Sequence, residues 1–184
     1  MRIVGGRHRG LTLAALGKGD AGAALRPTSD RVRESLFSLL WSRGLPEEET
    51  RVLDLFAGTG ALGLEALSRG AAHATFVDDG RVALRLIRDN LARAGRAGDA
   101  TVIARDARRL PPNDGAPCDL VFLDPPYGRG LGGAALEAAR RGGWIAPGAT
   151  VVWEETAPQD PPEGFTLADR RRYGDTHITI LTAE

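Results

Sequence analysis

One cysteine, one lysine and two tyrosines are all that 184 residues contain of those types. A lone thiol, Cys118, excludes a disulfide framework and a thiolate zinc cluster, and it fits a reducing compartment. No run approaches the ~20 apolar residues that a membrane span needs. Met1 to Gly6 has no apolar core of the signal-peptide kind, so the expected location is the cytoplasm. Net charge is zero, which excludes the strongly basic character of a general nucleic-acid binder. Hydrophobic residues make up 42%, too many for a disordered chain, and the length suits one α/β domain with a small addition at one end.

The charge is unevenly spread. Residues 1 to 40 carry Arg2, Arg7, Arg9, Lys18, Arg26, Arg31 and Arg33 against Asp20, Asp30 and Glu34, a positive excess that the rest of the chain offsets. Such a basic portion points to a phosphate-bearing partner. Ile3-Val4 and Leu11 to Leu13 predict a small hairpin with a basic tip, and Gly17 to Ala24 reads as a linker.

Glycine is abundant, and its placement matters most between Arg51 and Gly63. Val52, Leu53, Leu55 and Phe56 form the apolar run of a parallel strand covered on both faces. Gly58 and Gly60 then let the backbone turn sharply and approach a ligand. Gly58-Thr-Gly60-Ala-Leu-Gly63 matches the dinucleotide fingerprint, so a nicotinamide or flavin enzyme is one reading. Asp54 weighs against it, because a carboxylate at the strand's carboxyl end stands where a diphosphate would lie. It suits a ligand with an ammonium group and no phosphate, such as S-adenosylmethionine. A turn Asp beside a structural glycine loop is the remaining alternative.

The strand expected at Ala74 to Val77 ends at Asp78, which is positioned for two ribose hydroxyls or belongs to an ordinary Asp78-Asp-Gly80 turn. Thr101 to Ala104 ends near Asp106, which would accept an adenine amino group or cap a turn. Asp119 to Asp124 forms a further buried strand before Pro125-Pro126-Tyr127-Gly128. Prolines donate no hydrogen bonds, so this loop offers carbonyl acceptors and an aromatic ring. That inventory suits the exocyclic NH₂ of a nucleobase stacked on Tyr127.

Helices are predicted from a Thr28 cap to about Arg43, with Val32, Leu36, Leu39 and Leu40 on the apolar face, and over Ala61 to Arg69, Arg81 to Ala94 and Leu131 to Arg141. Thr150 to Trp153 reads as a fifth strand, and Phe165 to Arg172 with Thr176 to Leu181 as a closing hairpin. Arg170, Arg171 and Arg172 read as a solvated edge.

Taken together, Asp54-Leu-Phe-Ala-Gly-Thr-Gly60, an acidic strand end and Asp124-Pro-Pro-Tyr127 resemble a Rossmann-type S-adenosylmethionine-dependent amino methyltransferase. The finer resemblance is to the bacterial 16S ribosomal RNA guanine-N2 methyltransferases, the family named for guanine 966. It covers nearly the whole chain, through Arg2 to Gly6, Leu25 to Phe37, Gly60 to Gly70 and Tyr173 to Thr176. The resemblance implies a seven-stranded, mostly parallel sheet with a reversed last strand, and a small amino-terminal hairpin that helps to hold RNA. On this reading residues 1–24 dock RNA and residues 25–184 form the methyltransferase domain. The implied cofactor residues are Asp54, Phe56, Gly58, Gly60, Asp78, Asp106 and Ala107. The catalytic loop is Asp124, Pro125, Pro126 and Tyr127. RNA would meet Arg7, Arg9, Arg26, Thr28, Arg31 and Arg33, on 16S RNA in the small subunit or its assembly intermediate. No metal is needed, and a monomer is expected. The chain departs from the family pattern in having Asp78 where Glu is usual and Gly80 where another acid is usual. Three alternatives stay open: an amino methyltransferase of DNA or protein, a nicotinamide oxidoreductase, and a non-catalytic RNA-binding module.

Overall fold

Even-numbered positions in the central strands share one face of the sheet, and this parity organises the molecule. The computed structural model describes residues 1–17, 20, 25 and 28–184. After helix α1 (Asp30–Ser42), strand β1 (Arg51–Leu55) leads into α2 (Ala61–Ser68), β2 (His73–Asp78), α3 (Arg81–Ala94) and β3 (Ala100–Ala104). There follow β4 (Cys118–Leu123), α4 (Leu131–Arg141), β5 (Ile145–Glu155), β6 (Phe165–Tyr173) and β7 (Thr176–Ala183). The strands form one seven-stranded sheet in the order β3-β2-β1-β4-β5-β7-β6. β1 to β5 pair in parallel, and β7 runs antiparallel to both β5 and β6. The last strand alone is therefore reversed, as the sequence reading implied.

Two cores flank the sheet, as burial on both faces requires. Val52, Phe76, Leu120, Phe122, Val152 and Ile180 pack with Leu36, Phe37 and Leu40 of α1, with α2, and with Ile87 and Leu91 of α3. Leu53, Leu55, Val121, Leu123 and Val151 face Ala135, Leu136 and Ala139 of α4. Every residue of α2 is buried, so it is the central helix and not an amphipathic surface one. Gly63 permits its close approach, since a Cβ there would collide with the Phe76 ring.

The amino-terminal hairpin is present, with Arg2 bridged antiparallel to Thr12 and Ile3 N–H donating to Leu11 O. It joins the main core through Ile3 and Leu13. Its tip is fastened to the carboxyl end of α2, where Arg7 N–H donates to Ser68 O at 2.7 Å and Val4 N–H to buried Glu65 at 2.9 Å. The linker expected over Gly17 to Ala24 falls largely outside the described residues.

α1 differs from expectation in two ways. Ser29 caps it, accepting from Val32 N–H, and the Thr28 side chain turns elsewhere. The buried face is Arg33, Leu36, Phe37 and Leu40, rotated from the one read off the apolar residues alone.

Candidate active site

Parallel pairing places four carboxylates on one face at the carboxyl edge. Asp54 is in register with Phe76 on one side and Phe122 on the other, and Phe122 with Val152. Asp78, Asp124 and Glu154 each lie two residues further along β2, β4 and β5, so they form an outer row above Asp54. Asp54 is consequently the deepest, 1% exposed, while Asp78 and Asp124 are part-exposed.

Asp54, Asp78 and Asp124 line a cavity of about 430 Å³, within the range of small-molecule sites, and Glu154 stands behind its wall. Its wall brings together Asp54, Phe56, Gly58, Asp78, Asp124, Pro125, Pro126, Tyr127 and Thr28 from the sequence reading. Gly60 sits behind it, with φ 77° and space for a Cβ already taken by Phe76 and Ile87. Phe56 also has positive φ, 58°, a conformation that costs a non-glycine residue on the order of 1–2 kcal/mol. The strain is localised where the chain leaves β1 for the pocket. Asp106 and Ala107 line a smaller adjoining recess with Phe56, Val77 and Asp78. There Asp106 caps the short 3-10 turn Ala107–Arg109 and pairs with Arg108, and that hydrogen bond holds its carboxyl below the usual range.

The charges suit a cationic ligand better than a phosphate. Burial pushes the Asp54 carboxyl up to about 8, against the lowering effect of the Gly63 N–H that donates to it at 2.9 Å, and nearby Asp78 adds to the rise. Among the described residues no basic side chain pairs with Asp54, so a bound ammonium would supply its missing counter-charge. Asp78 accepts from Gly58 N–H at 2.9 Å and Gly80 N–H at 2.8 Å, and burial raises its pKa. Its lone pairs beyond those two bonds remain for hydroxyl donors. The Asp78 carboxylate, accepting from Gly58 N–H of the glycine loop, would repel a diphosphate, which weighs against the fingerprint's main implication. The acidic lining, with no basic partner for Asp54 among the described residues, fits a ligand that carries an ammonium group, as S-adenosylmethionine does.

The family model described as conserved hypothetical protein 95 matches residues 1–182. Over 162 residues the chain is 39% identical to ribosomal RNA small subunit methyltransferase D of Escherichia coli K12, covering 88% of this chain and 78% of that one. The protein belongs to the ribosomal RNA small subunit methyltransferase D family. Its Haemophilus influenzae relative of the same name is 35% identical over 182 residues, covering 95% of this chain and 89% of the relative. The solved structure of the Escherichia coli methyltransferase yhhF matches with a TM-score of 0.83 at 36% identity, covering 100% of this chain and 98% of that one. The family's fold is the Rossmann-like class I methyltransferase fold, with the strand order described above.

Two RNA-facing expectations, Arg33 and Thr28, need correction. Arg33 is fully buried, donating to Thr28 O at 3.1 Å, to Arg2 O and to Asp30 at 2.8 Å. It therefore bolts the hairpin to the pocket wall and presents no charge outward. Thr28 is also buried, its hydroxyl donating to Glu154 at 2.9 Å. Arg7 and Arg9 are exposed, but the tip is held at Ser68, a full length of α2 from the pocket, roughly 12 Å for eight residues. Arg31 is exposed in the first turn of α1. Arg26 lies outside the described residues.

Sequence reasoning missed Glu154, 5% exposed, which accepts from Tyr127 OH at 2.8 Å. It also missed Asn90, which receives Ala14 N–H at 2.6 Å and donates to Thr59 O at 2.9 Å, tying the amino-terminal segment to the glycine loop. A polar residue on an apolar helix face was the available signal for Asn90.

Proposed function

We propose that the protein transfers a methyl group from S-adenosylmethionine to the exocyclic N2 amine of a guanine in 16S ribosomal RNA of the small subunit. The observation that carries this reading is the shared wall: Asp124 to Tyr127 border the same cavity as Asp54 and Asp78. Family membership and the names of the relatives support an RNA substrate.

The bound cofactor supplies an electrophilic methyl group on sulfur. What remains is the work of the chain. Guanine N2 is a weak nucleophile because its lone pair is delocalised into the ring. Asp124 and the Pro125 carbonyl accept its two hydrogens, turn the lone pair toward the methyl group and hold the positive charge that develops on nitrogen as the methyl–sulfur electron pair stays with sulfur; one of those hydrogens then leaves as a proton past Asp124 to solvent. The prolines keep competing donors out of the loop. Tyr127 stacks on the base and fixes its plane. Orientation of two bound reactants of this kind supplies roughly 7 to 11 kcal/mol of a barrier. No metal enters this scheme.

A neutral chain makes few phosphate contacts, so a folded small-subunit particle with an accessible base is the better substrate than protein-free RNA. Arg31, exposed three residues beyond Thr28, serves as a docking cation beside the pocket, while Arg7 and Arg9 reach a separate stretch of RNA. The protein works as a cytoplasmic monomer. Transfer of labelled methyl to 16S RNA and to particles, with mapping of the modified base, tests the reading. A product other than N2-methylguanine, or no transfer to either substrate, would refute it.

A further inference from the structure

Tyr127 stands in a loop whose backbone alone does not hold its ring. Gly128 and Gly130 both have positive φ, 71° and 62°, so the chain turns away directly after the aromatic residue. Fixed points come from the end of β5, beside a hydrogen bond between the phenol and Thr176 at the start of β7. Glu154 accepts from Tyr127 OH at 2.8 Å, and Glu155, on the opposite face, accepts from Gly128 N–H at 3.3 Å. The second oxygen of Glu154 accepts from Thr28 Oγ1 at 2.9 Å, on the segment that enters α1. Tyr127 and Thr28 both line the pocket. A carboxylate buried this deeply, with hydroxyls as its side-chain partners, is costly for stability alone, and an apolar residue would pack there more cheaply.

We propose that Glu154 is a positioning residue that joins Tyr127 to Thr28 and so fixes the slot into which the target base enters. Glu154 touches neither reactant in this assignment. It acts by setting where the Tyr127 ring and the pre-α1 segment stand, and a misplacement of 1 Å at such a point costs on the order of a hundredfold in rate. The inference rests on the reading that Tyr127 stacks on a nucleobase.

The test uses the full-length protein with Glu154→Ala and Glu154→Gln. Glutamine still offers an oxygen to one hydroxyl and an amide to the other, so it should stay within a few-fold of the wild-type kcat. Alanine should lower kcat by about tenfold or more, while the S-adenosylmethionine Kd by calorimetry moves less than about twofold. In a Thr28→Val, Tyr127→Phe background the alanine change should cost little further. Hydrogen exchange gives a readout free of RNA: Glu154→Ala should raise exchange in the peptides around residues 28–32 and 125–130 together, with β1 and β4 unchanged. Full activity of the alanine variant, equal loss with glutamine and alanine, loss of cofactor binding in parallel with kcat, or exchange rising in only one of the two peptides would each overturn it. Failure of wild-type protein to modify any RNA would refute the functional reading instead, and the exchange measurement would still decide the coupling.

Discussion

Asp54 lies two register positions deeper in the sheet than Asp124, because its partner across β1 and β4 is Phe122. Depth separates their roles. Asp54 is sealed from solvent and its pKa rises to about 8, whereas Asp124 reaches the pocket mouth beside the two prolines. The same strand edge thus carries one sealed acid and one accessible acid.

Affinity for S-adenosylmethionine should rise with pH below about 8. The free protein holds a proton on Asp54 there, and an ammonium partner requires the carboxylate, so binding releases the proton. Between about pH 6 and 7.5 the gain should approach tenfold per unit. Calorimetry in buffers of different ionisation enthalpy measures the released proton directly. Asp54→Ala should weaken binding by ~2 kcal/mol or more and abolish the release. Binding without proton release would mean that Asp54 does not meet the ammonium.

Asp54→Asn should stabilise the free protein at pH 8 and have much less effect near pH 4. The folded pKa lies above the unfolded one, so the native state is favoured with the proton on, and that contribution is lost as pH rises from about 4 to about 8. Asparagine keeps the acceptor for Gly63 N–H without the charge. The gain is on the order of a few kcal/mol, visible as a higher Tm at pH 8. An unchanged Tm at that pH would contradict the burial argument.

Asp124→Ala should abolish methyl transfer while cofactor affinity stays near wild type, because its proposed partner is the base. Tyr127→Ala should cost ~1 to 3 kcal/mol through lost stacking. Single-turnover rates and cofactor titrations separate the two effects. Near-normal turnover by the Asp124 variant would make the loop structural.

Removing residues 1 to 16 should do more than weaken docking. Ile3 and Leu13 are 1% and 3% exposed within the main core, and burying two such side chains is worth roughly 3 to 6 kcal/mol. The truncated chain should unfold at lower denaturant and lose cofactor binding. Charge reversal separates docking from folding: Arg31→Glu should raise the KM for particles more than Arg9→Glu does, with a shallower salt dependence. Equal effects of the two would place RNA along the whole flank.

Gly63→Ala should destabilise by about 1 to 3 kcal/mol, since an added methyl overpacks the α2 contact with Phe76. Denaturant midpoints of the variant and wild type measure it. A neutral result would show that α2 shifts freely over β1.

Much of this molecule is legible along the chain. Alternating and continuous apolar runs located all seven strands, and α3 and α4 have the bounds that their spacing predicts. Asp78 and Asp124 stand out because each follows an apolar run and precedes a turn, and Asp54 because it interrupts one, local signals that need no tertiary knowledge. The glycines and prolines around them likewise declare their backbone geometry in one dimension.

What the chain order hides depends on which strands become neighbours. Glu154 ends a strand 27 residues after Tyr127, and only the pairing of β4 with β5 brings its carboxylate to the phenol. Arg33 reads as a surface cation because its one visible partner, Asp30, suits an exposed helical ion pair, while Thr28 O and Arg2 O, which go with its burial, are backbone atoms with no side-chain signature. Arg7 and Arg9 read as one RNA-meeting set with Arg26, Arg31 and Arg33, yet the hairpin fastens to the far end of α2. Local periodicity determines each element and its buried face; the register between distant elements determines which polar groups meet, and that is set by packing over the whole sheet.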